Sequence, residues 1–116
     1  MNRRFRLTRS TDVERVRRYG KSYAHPLLVL IAMPDTAGEL RFGVLAGRSV
    51  GTAVQRNRAK RLIREALRPL LPQISPGWKV VLLSRKSTPN AKMQDVQAAL
   101  LSLLHRADLL REENGN

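Results

Sequence analysis

Three apolar stretches along the chain have the length and composition of β-strands. Leu27–Met33 is a continuous apolar run rich in branched side chains, and it directly follows Pro26. Runs of this kind predict buried strands. Pro34–Glu39 has turn chemistry and leads into Leu40–Ala46, so we expect the two flanking strands to form an antiparallel hairpin. Trp78–Ser84 predicts a third strand.

Helical signals separate these strands. Thr11 and Glu14 have the spacing of a capping box, which predicts a short first helix ending near Tyr19, with Gly20 as its C-terminal stop. Ala53–Leu70 consists mostly of good helix formers and predicts a second helix, whose last turn should fray at a proline.

The last helix is predicted from about residue 92 by an amphipathic pattern. Its apolar positions are Val96, Ala99, Leu100, Leu103, Leu104 and Ala107. The element order is therefore α-β-β-α-β-α, which predicts an α+β fold, an α/β sandwich with helices packed on a small, mostly antiparallel sheet. We expect one domain over residues 1–116, with a flexible basic arm over 1–9 and a polar tail over 112–116.

Charge is the strongest functional signal in the composition. The 116 residues include 22 Lys and Arg against 9 Asp and Glu, for a net charge of +13. Such an excess attracts polyanions, and the preference for Arg favours phosphate and nucleic acid over a merely basic surface. The absence of cysteine excludes disulfides, zinc–thiolate sites and thiol nucleophiles. No apolar run is long enough to span a bilayer, so we expect a cytoplasmic protein without a membrane partner.

The second helix sorts its side chains into two faces. At about 100° per residue, one face collects the apolar residues Ala59, Leu62, Ile63, Ala66, Leu67 and Leu70. The opposite side collects Arg56, Asn57, Lys60, Arg61, Arg64 and Arg68, with Arg58 on one flank. The plainer alternative is a solvated basic face on which Glu65 pairs locally with Arg61 or Arg68. The crowding of cations in an already basic protein instead favours a nucleic-acid surface.

The run Ala53–Arg68, with Gly51 before it, resembles the signature helix of the bacterial ribonuclease P protein family. Weaker similarities in the same order are Arg6-Leu7, Gly20, Ser22, Leu40–Val44, Pro76–Trp78, Ser84–Lys86 and Leu103–Ala107. The likeness extends over residues 6–110.

That resemblance implies the protein component of an RNA enzyme that removes the 5′ leader of precursor tRNA. Catalysis would belong to the RNA subunit, which would also bind most of the Mg²⁺ cofactor, and the protein would hold neither catalytic residues nor a metal of its own. The implied partners are the catalytic RNA and precursor tRNA, with no obligate protein partner. The implied fold is like the second domain of ribosomal protein S5, with a left-handed βαβ crossover.

The family's two RNA-binding regions can be carried over by position. The catalytic-RNA-binding residues would be Arg56, Asn57, Arg58, Lys60, Arg61, Arg64 and Arg68. The leader-binding residues would be Val13, Arg17, Ile31, Arg48, Arg85 and Lys86. Val13, Arg17 and Ile31 stand where the family usually or often has aromatic residues. We therefore expect leader contacts that depend more on phosphate binding and on stacking of the Arg17 guanidinium.

Two other function classes remain open from the residues. One is a small ribosomal or general single-strand RNA-binding protein, which would need the same basic surface without an enzymatic assembly. The other is a free-standing nuclease. The scattered acids and the separation of His25 from His105 disfavour the nuclease, because hydrolytic metal sites gather several carboxylates.

Overall fold

The computed structural model of the protein describes residues 5–7 and 9–111. Three helices and four strands make up its regular structure. In chain order they are α1 (Ser10–Tyr19), β1 (Lys21–Ala24), β2 (Leu28–Pro34), β3 (Leu40–Leu45), α2 (Ala53–Leu67), β4 (Trp78–Ser84) and α3 (Met93–Arg106). The α+β class is confirmed, whereas the predicted order lacked one strand: β1, a short and mostly exposed strand that carries no apolar run.

The sheet has the order β1-β2-β4-β3, so the predicted hairpin between β2 and β3 is wrong. β4 lies between them, antiparallel to β2 and parallel to β3. Backbone bonds fix this insertion: Asp35 N donates to Gly77 O (2.8 Å), and the amides of Gly77 and Trp78 donate to Glu39 O (both 3.0 Å). The turn between β2 and β3 therefore reverses the chain direction but leaves the two strands far enough apart for β4 to pair with both. The parallel pair with α2 between its strands is a βαβ unit.

Both faces of the sheet are covered, which explains why β2 and β4 read as continuous apolar runs. α2 and α3 pack on one face, where alternate residues such as Leu28, Leu30 and Leu82 are fully buried in the main core. α1 packs on the other face, where Val16, Ile31 and Val81 belong to a smaller core. Since successive strand residues point to opposite faces, a strand buried on both sides has few polar positions.

The first helix begins differently from the prediction. Its N-cap is Arg9, without a side-chain cap, so Thr11 lies within the first turn and the Thr11–Glu14 capping box does not form. The helix does end at Tyr19, where Gly20 N donates to Val16 O (2.8 Å). A Cβ on Gly20 would lie 2.6 Å from that oxygen, so the close approach of α1 to β2 requires glycine here.

Part of the arm predicted over residues 1–9 is docked. Arg6 forms a parallel bridge with Phe42, and Leu7 N donates to Phe42 O (2.7 Å). The Leu7 side chain is 6% exposed and joins the smaller core beneath α1. Burial of this leucine explains why these residues are not a loose arm. Residues 1–4 and 8, and the tail predicted over 112–116, lie outside the described residues.

Candidate nucleic-acid interface

A capping box sets the start of α2. Thr52 Oγ1 accepts from Gln55 N (3.2 Å), and Thr52 N donates to Gln55 Oε1 (2.9 Å). Gly51, at φ 139°, precedes the box, and a Cβ there would lie 1.9 Å from Gln55 Oε1. This box was not predicted from the sequence, although the Thr-x-x-Gln spacing is a standard signal for a helix start.

The inner face of α2 lies on the main core. Ala59, Ile63, Ala66 and Leu67 are fully buried, whereas Leu62, predicted on the same face, is half-buried. The α-helix ends at Leu67, three residues earlier than predicted, and continues as a 3₁₀ segment over Arg68–Gln73. The proline at the start of that segment cannot donate an α-helical hydrogen bond. Packing of the apolar face of α2 on the main core thus orients the opposite face of the helix toward solvent.

The outer half of α2 is a cationic surface, as predicted. Asn57, Arg58, Arg61 and Arg68 are exposed, and Arg56, Lys60 and Arg64 are half-buried. A shallow depression of about 280 Å³ lies among Asn57, Lys60, Arg61, Arg64, Glu65 and Arg68. Glu65 pairs with Arg68 at 3.3 Å, which is the local ion pair expected for the alternative of a solvated basic face. One carboxylate cannot neutralise this surface, so the excess positive charge remains.

Arg64 differs from the other arginines of α2. Its Nε is buried and has no hydrogen-bond partner among the described residues. Burial, and secondarily the charge of Arg6, lower the pKa of its guanidinium. A guanidinium nevertheless stays charged at neutral pH. Arg64 is therefore a cation with an unused donor, beside a second cation from the N-terminal segment.

The predicted leader-binding residues lie around the sheet face that carries α1. Half-buried Val13 packs against the smaller core, and exposed Arg17 lies 4.0 Å from Glu14. Beyond α1, the sheet register aligns Val29, Leu83 and Leu45 in one partly exposed apolar row. Bases can lie on such a surface while cations around it bind their phosphates.

Three predicted cations follow the carboxyl ends of the two parallel strands that this apolar row crosses. Arg48 follows β3 in a short 3₁₀ turn, and Arg85 and Lys86 follow β4; all three are exposed. Because β3 and β4 are parallel neighbours, their carboxyl ends lie at the same edge of the sheet. Buried Thr88 holds the second loop, since its Oγ1 accepts from Arg85 N (2.9 Å) and donates to Leu27 O. This anchor was not predicted from the sequence, because Leu27 is distant from Thr88 in the chain.

Ile31 is the exception among the leader-binding residues. Its side chain is 6% exposed, and its Cγ2 lies 2.8 Å from the position that a Cβ on Gly20 would take. The close packing of α1 onto β2 thus places Ile31 in the smaller core. Its burial leaves little surface for the predicted leader contact, and Ile31 supports the sheet face beside α1 from within the smaller core.

The aromatic residues of the described chain provide little stacking surface on this face. Phe42 is fully buried in the main core, and Trp78 packs against that core. Tyr23 is half-buried, with Lys21 Nζ 5.5 Å from its ring centre, and Tyr19 is 69% exposed at the end of α1. The Arg17 guanidinium therefore remains the planar group predicted for stacking on the leader.

The two histidines belong to different segments of the fold. His25 Nδ1 accepts from Leu27 N (3.0 Å) at the start of β2, and His105 is exposed near the end of α3. Within residues 5–7 and 9–111, no three His, Cys, Asp or Glu side chains are grouped so as to hold a metal. Over the same ranges, no helix has the length and apolar character needed to cross a membrane.

Comparison with known proteins agrees with this architecture. A family model described as Ribonuclease P matches residues 1–108. The ribonuclease P protein component of Herpetosiphon aurantiacus is 43% identical over 109 residues, covering 94% of this chain and 89% of the relative. The Thermotoga maritima RNase P protein structure superposes with a TM-score of 0.77 at 28% identity, covering 87% of this chain and 96% of that one. The Staphylococcus aureus protein superposes with a TM-score of 0.81 at 23% identity, covering 92% and 98%. The chain therefore belongs to the ribonuclease P protein family.

Proposed function

We propose that this protein assembles with the catalytic RNA of ribonuclease P and positions the 5′ leader of precursor tRNA, so that the RNA removes the leader. One observation carries the proposal: α2 places its cations and Asn57 on the side opposite the main core. The contacts with catalytic RNA are assigned to Arg56, Asn57, Arg58, Lys60, Arg61, Arg64 and Arg68. A rigid helix with this spacing can contact successive phosphates of a folded RNA.

The leader is assigned to the sheet face beside α1. Val13 and the row Val29, Leu83 and Leu45 supply apolar contact. Arg17, Arg48, Arg85 and Lys86 supply positive charge around that row. A single strand crossing the face could then place bases on the apolar row and phosphates near the cations.

Chemistry is assigned to the RNA subunit. Mg²⁺ bound mainly by the RNA would activate the attacking water and stabilise the leaving oxygen. The protein's contribution is to neutralise phosphates and hold the leader, which lowers the Mg²⁺ concentration that the assembly needs. The proposal places the protein in the cytoplasm with its RNA partners and needs neither a membrane nor an obligate protein partner.

Reconstitution tests the proposal. Purified protein is added to catalytic RNA and precursor tRNA at a Mg²⁺ concentration at which the RNA alone cleaves slowly. We expect faster cleavage at the leader junction and no cleavage by protein without the catalytic RNA. Binding without stimulation would support the single-strand RNA-binding alternative, and cleavage by the protein alone would show a free-standing nuclease.

A further inference from the structure

The turn between β1 and β2 and the loop after β4 are joined by two side-chain hydrogen bonds. Ser87 Oγ donates to Pro26 O (3.0 Å), and Thr88 Oγ1 donates to Leu27 O. Each donor lies 61 residues from its acceptor along the chain. The two hydroxyls thus fasten the segment that precedes β2 to the segment that follows β4.

The turn that accepts these two bonds has hydrogen bonds of its own. The chain reverses over Pro26 and Leu27, where His25 N donates to Leu28 O (3.0 Å). The half-buried His25 imidazole also accepts from Leu27 N through Nδ1 (3.0 Å). The residue whose carbonyl oxygen Thr88 uses is therefore held by its amide as well.

On the other side, Thr88 closes a four-residue turn that begins at Arg85. Arg85 N donates to Thr88 Oγ1 (2.9 Å), and Thr88 N donates to Arg85 O (3.1 Å). Thr88 is fully buried, whereas the three residues before it are exposed. Because a hydroxyl can accept and donate at once, this one group connects the backbone of the loop to the turn between β1 and β2.

Packing alone does not explain a threonine at this position. Within residues 5–7 and 9–111, Thr88 is the only polar residue that is fully buried. Valine has nearly the same shape and could be buried without the cost of desolvating a hydroxyl. The hydroxyl therefore serves the geometry of the loop, which presents Arg85 and Lys86 at the surface.

We propose that Thr88 is a positioning residue, whose hydroxyl sets the place from which Arg85 and Lys86 contact the leader of precursor tRNA. Thr88 acts through these cations, because a fully buried side chain offers no surface to the RNA. Long cationic side chains lose rotamer freedom when they bind, and a fixed backbone spares them the further loss of ordering the loop. The inference rests on the proposed function, since it takes both cations as leader contacts.

The test measures the preference of the holoenzyme for precursor tRNA over mature tRNA, as the ratio of the two dissociation constants. Thr88→Val keeps the shape of the side chain without its hydroxyl, and Thr88→Ser keeps the hydroxyl. We expect Thr88→Val to lower the preference about threefold to fivefold, since an exposed ion pair is worth little more, and Thr88→Ser to retain it. Thr36→Val, in the exposed turn between β2 and β3, is the matched control and should leave the preference unchanged.

A double-mutant cycle separates positioning from a general loss of stability. Arg85→Ala combined with Lys86→Ala removes the cations through which Thr88 is proposed to act. In that background Thr88→Val should lower the preference no further, because both changes interrupt one effect. All variants are compared at a temperature at which circular dichroism shows them folded. A merely structural role of Thr88 would then leave the preference of Thr88→Val at the wild-type value.

Ser87→Ala gives a second reading that leaves the buried hydroxyl in place. It removes the other bond at an exposed position, so it decides the question if Thr88→Val does not fold, and it should lower the preference about twofold. The inference is overturned if the deciding variant keeps the wild-type preference, if Thr88→Ser loses as much as Thr88→Val, or if Thr88→Val has its full effect without the two cations. A wild-type holoenzyme that does not prefer precursor tRNA would instead overturn the proposed function, and the inference with it.

Discussion

Thr52 and Gln55 exchange two hydrogen bonds, each side chain accepting from the other residue's backbone amide. This box fixes the first turn of the helix that carries the cationic surface. It also gives an acceptor to two amides that would otherwise have no partner within the helix.

Replacing Thr52 with alanine should lower the free energy of unfolding by about 1 kcal/mol, since the hydroxyl acceptor is lost from an N-cap. Urea denaturation followed by circular dichroism measures the change. Thr36→Ala, in the exposed turn between β2 and β3, is the control and should be nearly neutral. Equal stability of the two variants would show that the box contributes nothing.

Gly20→Ala should destabilise the fold by about 1–3 kcal/mol, because the added methyl group overpacks a closed site. Its Cβ would meet Val16 O at 2.6 Å and Ile31 Cγ2 at 2.8 Å. Gly47→Ala is the matched control, because a Cβ there meets nothing within 4 Å. Comparable denaturation midpoints for the two variants would contradict the close packing of α1 on β2.

Arg56→Ala and Arg58→Ala should each weaken assembly with catalytic RNA and leave the fold intact. Substitutions at surface positions usually change stability by no more than about 0.5 kcal/mol. Filter binding of catalytic RNA and thermal unfolding measure the two effects separately. Arg15→Ala, on the exposed side of α1, is the control for a general loss of charge, and equal losses in all three variants would argue against a specific role for α2.

RNA affinity should fall steeply with salt. If about six phosphates are neutralised, a plot of log affinity against log salt concentration should have a slope of roughly −4 to −5, since counterions are released on binding. Titrations at several salt concentrations give the slope. A slope near zero would contradict an electrostatic interface.

Arg17→Ala should reduce affinity for precursor tRNA only when the leader is present, because Arg17 is exposed beside the leader face. Equilibrium binding to the holoenzyme is measured with precursor and with mature tRNA. Loss of affinity for both RNAs alike would assign Arg17 to the tRNA body or to assembly, and no loss for either would remove it from the interface.

Much of the local structure was predictable because its signals are short-range. The bounds of β4 and the buried positions of α3 follow from runs and periodicity within each segment. β1 was missed because a short, exposed edge strand has no such pattern; its pairing with β2 defines it. The hairpin prediction failed for a related reason: nothing within β2 or β3 shows that β4 will lie between them.

The amino-acid sequence by itself determined the class of the fold and the sorting of α2 into an apolar and a cationic face, since helical spacing is enough to separate those side chains. Only the tertiary structure decided the strand order, the burial of Ile31 beneath α1, and the hydrogen bond from Thr88 to Leu27. The physical reason is that these features depend on which distant segments pack together, and the free energy of that packing is not contained in the pattern of any one segment.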